Sequence, residues 1–418
     1  MKFNYKNSCQ INEEEILKAS ERALPYLEHL RTVAQISSYD FPESSIILPF
    51  DGDVARDVLR IKDEKVGKDL KYIILIGIGG SNLGAKAVYD ALHGYFDILE
   101  PDRYPKIIFT DTNDFEFLSR LEKFLENKIR EPKEILINII SESGKTLETM
   151  VNMEFIMGIL EKRFTNAKER VVVISHPNSN LIKDAQDKNI SSLSVPEKIG
   201  GRFSVFSAAG LFPLCVAGID IEKFIDGAKE ARDRCISEEI LENTAILSAI
   251  INFLNFKNGK IITDSFIFHT ELESLGKWYR QLLAESIGKE KDINNKKVNT
   301  GITPTVSIGS TDLHSVAQLY LGGPRDKFTY FLWSNNKNFS SRIYDTMEAI
   351  YNGVKIIYNK KKLPFVEIIL SEISAYTLGQ FMQFKMTETM FLGNLFNINT
   401  FNQPNIDDYK KEVEQLLK

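Results

Sequence analysis

The fold is decided by residues 71–84, whose sequence is KYIILIGIGGSNLG. The first part of this stretch is a continuous apolar run rich in β-branched residues, which is typical of a strand buried on both faces of a sheet. Glycines end the run, and the segment GAKAVYDALHGYF that begins at Gly84 has the apolar spacing of a helix. A buried strand, a glycine turn and a helix in this order indicate the first unit of a parallel α/β sheet.

The same alternation repeats along the chain. Further strands of this sheet are predicted at KIIFTDT (106–112), EILINII (134–140) and VVVIS (171–175), with a helix over 147–164. A second series of strands is predicted at IITDSFIF (261–268), TPTVSIGST (303–311), FTYFLWS (328–334) and FVEIILSEIS (365–374). A helical opening precedes the first strand, and the tail from about Ala375 predicts two helices joined by NINTFNQPN (397–405).

These patterns predict an α/β protein with two doubly wound domains. Mainly parallel sheets are expected to be flanked by helices, with a helical arm at the C-terminal end. A chain of 418 residues suits two such domains. The predicted parts are an N-terminal helical extension (1–50), a first domain (51–230), a second domain (231–385) and the C-terminal arm (386–418).

Composition and charge favour a globular protein in a reducing compartment. Hydrophobic residues make up 43% and charged residues 26% of the chain, which does not favour disorder. A net charge of -5 gives little reason to expect nucleic acid as a partner. Three widely spaced cysteines suggest neither a disulfide framework nor a metal cluster. The polar N-terminus does not resemble a signal peptide, and the apolar segment 205–219, interrupted by Pro213, is too short for a membrane span, so a buried core segment in a cytoplasmic protein is expected.

Two loops have the composition of phosphate-binding turns. The glycine loop (77–84, GIGGSNLG) lies between a predicted strand and a helix, where backbone N–H groups favour an anion. The serine loop (141–146, SESGKT) also follows a strand and opens a helix, and its hydroxyls suit phosphate oxygens. On successive strands of one sheet, the two loops are expected to converge on a single phosphate. Taken singly, each has a plainer explanation, a tight turn for the first and helix capping for the second.

Neither loop fits a nucleotide fingerprint. A dinucleotide motif requires glycine where Asn82 stands, so no nicotinamide cofactor is expected. A Walker motif ending in Lys145 and Thr146 requires glycine at Ile139. No cluster of histidines and carboxylates has the spacing of metal ligands, so we expect neither a cofactor nor a metal ion.

Five ordered segments resemble the glucose-6-phosphate isomerase family of the sugar-isomerase superfamily. The first is formed by the two loops, GIGGSNLG and SESGKTLET. The second is the arginine turn (200–204, GGRFS), followed by QLLAESIGK (281–289), GSTDLHS (309–315) and FNQP (401–404) with Lys410. The resemblance covers most of the chain. It implies two sugar-isomerase domains, interconversion of glucose 6-phosphate and fructose 6-phosphate in glycolysis and gluconeogenesis, and a homodimer in which the histidine reaches the partner's active site.

The resemblance also implies a role for each matching residue. Glu285 would move a proton between C1 and C2 through a cis-enediol. His314 would protonate the ring oxygen during ring opening, with the help of Lys410, and Arg202 would stabilise the enediolate. The residues carried over as substrate contacts are Gly80, Ser81, Ser141, Ser143, Thr146, Gly201, Gln281 and Gln403.

Without the family pattern these residues have plainer interpretations. Glu285 and Lys289 are four residues apart on a predicted helix and could form a solvated ion pair. His314 could be a hydrogen-bonded structural histidine, Arg202 a surface guanidinium, and Lys410 one of many charges on a solvated terminal helix.

The serine loop departs from the family at one position. Many members carry lysine where this chain has Glu142, a charge that would repel a phosphate if it pointed inward. An outward-facing Glu142 and a weaker phosphate affinity are both open, and Lys145 could offset the charge. The alternative functions are an isomerase that also accepts mannose 6-phosphate and a non-catalytic sugar-phosphate sensor. A sensor would not need Glu285, His314 and Lys410 together, and no basic helix-turn-helix segment is present.

Overall fold

The structure is a computed structural model that describes residues 1–335 and 341–417. The strands are β1 (Lys2–Asn4), β2 (Tyr72–Ile76), β3 (Lys106–Thr110), β4 (Ile135–Ile140), β5 (Val171–Ser175), β6 (Ser191–Ser194), β7 (Ile262–Ile267), β8 (Lys289–Lys291), β9 (Lys297–Thr300), β10 (Thr303–Ile308), β11 (Lys327–Ser334) and β12 (Phe365–Leu370). The helices are α1 (Glu13–Ser20), α2 (Leu24–Ala34), α3 (Gly52–Lys65), α4 (Leu83–Leu92), α5 (Phe115–Lys128), α6 (Leu147–Arg163), α7 (Asn180–Asp187), α8 (Ala208–Val216), α9 (Ile221–Cys235), α10 (Thr244–Lys257), α11 (Glu273–Ile287), α12 (Ala317–Gly322), α13 (Ser341–Lys360), α14 (Ala375–Phe396) and α15 (Ile406–Leu416).

Residue contacts divide the chain into two compact units. One is continuous and spans Ile36–Ile225, and the other combines Met1–Gln35 with Asp226–Lys418. The domain boundaries predicted from the sequence, at residues 50, 230 and 385, stay predictions. The last of them falls inside α14, which belongs to the second of these units.

The unit 36–225 contains a parallel sheet with the strand order β3-β2-β4-β5-β6. Its central strands are apolar on both faces, as the sequence predicts. Ile74 on β2 pairs with Ile108 on one side and Ile137 on the other. Ile74 and Ile137 are fully buried and belong to a core to which α5, α6 and α7 contribute Leu, Ile and Ala side chains. The predicted α/β architecture with helix-flanked parallel sheets is therefore confirmed.

The order of this sheet contains a reversal point. From β2 the chain moves to β3 on one side and then returns to β4 on the other side of β2. Although β3 separates them in sequence, β2 and β4 are hydrogen-bonded neighbours. Ligands of open parallel sheets bind where the strand order reverses, outside the carboxyl ends of the strands. The glycine loop leaves β2 and the serine loop leaves β4 at this reversal point.

The second unit is built on a sheet with the order β1-β12-β11-β7-β10. The four strands from β7 to β12 in this sheet are parallel, whereas β1 adds to β12 in the antiparallel direction. Its core is rich in aromatic rings, and Trp333 stacks on Tyr351 with ring centroids 4.9 Å apart. All four strands predicted for this sheet are present, and the predicted tail of two helices corresponds to α14 and α15.

Four short strands were not predicted, namely β1, β6, β8 and β9. The helical opening consists of two helices, of which α1 begins at a capping box. Asn12 Oδ1 accepts a hydrogen bond from the N–H of Glu15 at 2.8 Å, and the Asn12 N–H donates to the Glu15 carboxylate at 3.0 Å. The segment 205–219 is the buried helix α8 with its flanks, as expected.

Candidate active site

The glycine loop packs against the arginine turn within the unit 36–225. Gly80 and Ser81 lie in a short 3-10 turn, Gly79–Ser81, just after β2. A Cβ added to Gly80 would lie 2.3 Å from the carbonyl carbon of Gly201 and 2.6 Å from the nitrogen of Arg202. Only glycine allows two backbones to approach so closely. The loop is therefore fixed against the turn that carries Arg202.

The serine loop presents its hydroxyls at the start of α6. Ser141 is 1% exposed, and its Oγ lies 3.1 Å from Oγ1 of Thr146. The Ser143 hydroxyl accepts a hydrogen bond from the Lys145 N–H at 3.2 Å. Gly144 has a φ of +67°, in the left-handed region that favours glycine. Thr146 occupies the cap position of α6, but its side chain does not cap the helix, so helix capping does not explain this hydroxyl.

Arg202 lies in the 3-10 turn Gly201–Phe203 and is only 5% exposed, so it is not a surface guanidinium. The guanidinium carbon is 5.9 Å from the centre of the Phe203 ring. The Gly201 carbonyl accepts a hydrogen bond from the Ser204 hydroxyl at 2.8 Å. The turn thus holds a buried fixed charge beside the two loops.

Glu142 turns its carboxylate toward the arginine turn. Its Oε2 accepts a hydrogen bond from the Gly201 N–H at 2.7 Å. The main chain of Glu142 is held as well, since its carbonyl oxygen accepts hydrogen bonds from the Ser175 hydroxyl at 3.2 Å and from the His176 N–H at 3.3 Å. In the described part of the chain no ion pair joins Glu142 to Lys145, so an offset of the Glu142 charge by Lys145 stays a prediction.

Glu285 lies in the last turn of α11, in the second unit, and is held by two amides. Gln281, one turn earlier, donates from Nε2 to Oε1 of Glu285 at 3.2 Å. Gln403, in the loop between α14 and α15, donates from Nε2 to Oε2. Three of the residues predicted for the site are therefore brought together, and the carboxylate is fixed through both oxygens.

Lys289 has a role that the sequence does not suggest. It is 6% exposed, and its ammonium group donates to the carbonyl oxygens of Glu285 at 2.6 Å and Asn402 at 2.8 Å. It thereby joins the end of α11 to the loop that carries Gln403. A Glu and a Lys four residues apart usually indicate a solvated pair, so nothing in the spacing reveals a buried cation. The structure therefore does not contain the solvated ion pair that the spacing of Glu285 and Lys289 suggests.

His314 lies apart from this cluster, and Lys410 makes no direct polar contact with it among the described residues. His314 is exposed in the 3-10 turn Thr311–His314, beyond the carboxyl end of β10. Glu285 lies near the amino end of β10. Gly301, just before this strand, is close to Gly288, just after the helix of Glu285, because a Cβ on Gly301 would lie 3.0 Å from Cα of Gly288. The strand alone separates the two ends by about 20 Å. Lys410 is exposed on α15, and among the described residues no hydrogen bond or ion pair joins it or His314 to Glu285.

One buried polar contact was missed in the glycine loop. Asn82 is 1% exposed and donates from Nδ2 to the Asp111 carboxylate, which follows β3, at 3.0 Å. Asn82 occupies the position where a dinucleotide motif has glycine, which is the only signal the sequence offers for it. The contact ties the loop to the neighbouring strand.

The described residues contain no group of three or more His, Cys, Asp or Glu side chains placed to hold a metal ion. Within residues 1–335 and 341–417, no helix has the length and apolar character needed to cross a membrane.

Several known proteins are similar to this chain. The family model of phosphoglucose isomerase matches residues 61–328. The glucose-6-phosphate isomerase of Methanocaldococcus jannaschii is 33% identical over 440 aligned positions, which cover 100% of both chains. That of Mycoplasmopsis synoviae is 29% identical and covers 96% of this chain and 97% of its own.

Solved structures support the fold. A glucose-6-phosphate isomerase from Chlamydia trachomatis superposes with a TM-score of 0.83 at 19% identity, covering 99% of this chain and 88% of its own. A hypothetical protein from Thermus thermophilus, TT0462, gives a TM-score of 0.85 at 24% identity and covers 100% of this chain and 99% of its own. The family match includes both loops, the arginine turn, Glu285 and His314, and the archaeal relative extends over the whole chain. The chain belongs to the phosphoglucose isomerase family.

Proposed function

We propose that this chain interconverts glucose 6-phosphate and fructose 6-phosphate, a reaction of glycolysis and gluconeogenesis. The observation that carries the proposal is the Glu285 carboxylate, half-buried and held through both oxygens by the amides of Gln281 and Gln403. A proton-transfer base must be fixed within hydrogen-bonding reach of the proton that it removes. The full-length relatives named glucose-6-phosphate isomerase support the same reaction.

The proposed chemistry is a proton shuttle within the sugar. After ring opening, Glu285 removes the proton from C2 of the aldose, and the electron pair forms the double bond of a cis-enediol as the carbonyl oxygen at C1 gains a proton. Return of the proton from Glu285 to C1, with loss of the O2 proton, gives the ketose. Arg202 supplies a fixed positive charge for the oxygen that becomes negative during these steps. His314 protonates the ring oxygen during opening, and Lys410 assists it.

The two loops would hold the substrate's phosphate at the reversal point of the first sheet. Ser141 and Thr146 lie with their hydroxyl oxygens 3.1 Å apart, so both hydroxyls can turn to donate to one anion. Ser81 and Ser143 add hydroxyls, and the backbone of Gly80 adds an N–H group. The Gly201 N–H already donates to the Glu142 carboxylate at 2.7 Å, so a contact from Gly201 to the substrate stays a prediction. These residues take no part in the proton transfer and serve to hold the phosphate group of the sugar.

We also propose a cytoplasmic homodimer in which each His314 acts on the partner's substrate. The separation of His314 and Glu285 across the length of β10 supports this assignment. Within one chain, a group beyond the carboxyl end of β10 cannot reach a sugar that lies against Glu285.

The test is conversion of fructose 6-phosphate to glucose 6-phosphate by the purified protein, read through a coupled dehydrogenase. We expect robust turnover that a chelator does not diminish, because no step uses a metal ion. Glu285→Gln is expected to retain sugar-phosphate binding and to lose at least about 10³-fold in kcat. Glu273→Gln, an exposed position on the same helix, is the matched control with normal turnover.

Each result has a defined meaning. Mannose 6-phosphate as a parallel substrate shows how strictly the configuration at C2 is read. Near-normal turnover by Glu285→Gln would remove Glu285 from the role of the base. If the unmodified chain binds fructose 6-phosphate but does not convert it, the proposed isomerase function is wrong and a sugar-phosphate sensor is favoured instead.

A further inference from the structure

Gly201 is held on three sides in the arginine turn. Its N–H donates to the Glu142 carboxylate at 2.7 Å, and its carbonyl oxygen accepts from the Ser204 hydroxyl at 2.8 Å. Gly80 packs so tightly against it that no side chain would fit between them. The peptide that leads into Arg202 is therefore fixed by contacts to the glycine loop, the serine loop and the turn itself.

Of these three contacts, only the one from Glu142 reaches the turn from the serine loop. The main chain of the serine loop is anchored to the end of β5, because Ser141 N–H donates to the Ile174 carbonyl and the Ser175 hydroxyl donates to the Ser141 carbonyl. The Glu142 side chain extends from this anchored loop to Gly201. It therefore fixes the backbone before Arg202 relative to β4 and β5. Arg202 is itself buried, so a small displacement of its backbone moves the charge without a compensating change of rotamer.

The same carboxylate places a negative charge among the phosphate-binding hydroxyls. Glu142 lies in sequence between Ser141 and Ser143, and its oxygen occupies a backbone N–H that could otherwise bind an anion. A phosphate dianion that enters the loop meets this charge at short range, and the repulsion is screened by salt because Glu142 is exposed.

The geometry points to Glu142 as a positioning and specificity-determining residue with two separable effects, an inference that rests on the proposed function. Its hydrogen bond to Gly201 aligns Arg202 and supports kcat. Its charge weakens the binding of the phosphate group and raises KM.

Two substitutions separate the hydrogen bond from the charge. In Glu142→Gln the amide oxygen still accepts from the Gly201 N–H, while the charge is gone. We expect kcat within about twofold of the unmodified protein, and a KM and an inhibition constant for inorganic phosphate lowered about three- to tenfold. In Glu142→Ala the charge and the hydrogen bond are both lost, so KM falls similarly while kcat falls about tenfold. Glu154→Ala, which removes an exposed carboxylate on α6, is the control and leaves both constants unchanged.

The measurements are steady-state kinetics with fructose 6-phosphate and calorimetric titration with inorganic phosphate, each at 0.05 M and 0.5 M NaCl. The difference in phosphate affinity between the unmodified protein and Glu142→Gln should shrink at the higher salt. An unchanged kcat in Glu142→Ala would overturn the positioning role, and equal phosphate affinities at low salt would overturn the charge effect. If the unmodified protein binds phosphate but does not turn over the sugar, the proposed function fails, and the titrations alone still decide the charge effect.

Discussion

At the scale of single residues, the two glutamines that contact Glu285 can each serve two purposes. The sequence motif assigns Gln281 and Gln403 to the substrate, yet the structure places both amides on the Glu285 carboxylate. These roles are compatible, because an amide nitrogen carries two hydrogens and the amide oxygen is a separate acceptor. One N–H of each glutamine can hold the base while the remaining groups contact the sugar. The two glutamines would then fix the base and the sugar with the same side chains, through different atoms of each amide.

Asp264 is a residue that the proposed chemistry does not use. It is fully buried on β7, and its Oδ1 accepts hydrogen bonds from Thr305 at 2.6 Å, Ser307 at 3.0 Å and Tyr320 at 3.1 Å. Burial raises the pKa of Asp264 to about 6 from its ordinary value of 3.8, against the opposing effect of these hydroxyl donors, and the charge of Asp312 adds to the increase. The folded protein therefore keeps the Asp264 proton to a higher pH than the unfolded chain does.

The stability of the second unit should fall as the pH rises from about 4 to about 6. Over this window the unfolded chain releases the Asp264 proton before the folded chain does, and above it the full penalty remains, on the order of 3 kcal/mol. Asp264→Asn removes this penalty, so we expect a higher midpoint of urea unfolding than the unmodified protein at pH 8, and a flatter dependence between pH 4 and 6. Asp345→Asn, at an exposed position on α13, is the control. Parallel pH profiles for Asp264→Asn and the unmodified protein would exclude the mechanism.

At the scale of secondary-structure elements, a buried ionic network joins three helices to the second sheet. Glu388 on α14 is fully buried and pairs with Lys385 at 2.8 Å on the same helix. It also accepts hydrogen bonds from Ser248 on α10, Tyr279 on α11 and Tyr330 on β11. Because Tyr279 and Glu285 lie on one helix, this network also orients the helix that carries the proposed base.

Removing one member of this network should cost far more than removing the pair. Glu388→Ala leaves the Lys385 ammonium without its counter-ion in the core, and we expect a loss of about 3–5 kcal/mol in the free energy of unfolding. Lys385→Met combined with Glu388→Leu leaves no uncompensated charge, so the double variant should be the more stable of the two. Chemical denaturation measures both. Equal losses in the two variants would mean that the hydroxyl partners, not the charge, set the cost.

The elements that sequence analysis predicts and those it misses differ in burial. Strands such as β4 and β5 are buried along their whole length and apolar at all but one position each, so their hydrophobic runs indicate their position directly. In contrast β6, with the sequence SSLS, and the hairpin strands β8 and β9 are short and polar, and pairing with a neighbour rather than burial defines them. The direction of the Glu142 side chain is likewise set by a partner that is distant in sequence. It depends on a backbone N–H 59 residues away, which no local pattern encodes.

At the scale of the whole molecule, the residues of the site are identified from the family resemblance more than from any physical pattern in the sequence. Composition and periodicity predict the sheets and place the two loops at a carboxyl edge, which the strand order explains. They give no reason to select Glu285 or His314, since a glutamate near a helix end and a histidine in a turn are common features. The opposite positions of these two residues along β10 emerge only from the fold.

The proposed homodimer makes a prediction that no single-chain mechanism shares. Glu285→Gln and His314→Ala are each expected to be nearly inactive, but in a mixed dimer one of the two sites has both original residues. Random mixing of the two variants by joint refolding should therefore restore about a quarter of the original activity. Activity that stays at the level of the separate variants, despite mixed dimers detected by mass spectrometry, would place both residues in one chain's site.

The distribution of the second unit along the chain imposes an order on its formation during synthesis. Residues 36–225 are continuous and can fold as soon as they leave the ribosome, whereas Met1–Gln35 pack with partners that begin at Asp226. The 190 residues between positions 35 and 226 take about 10–40 s to translate at roughly 5–20 residues per second. For that time the apolar faces of α1 and α2, including Ile16, Leu27 and Leu30, have no native core to enter. The helices α1 and α2 are thus the nascent segment on which a holding chaperone would act, although they are translated before the unit 36–225.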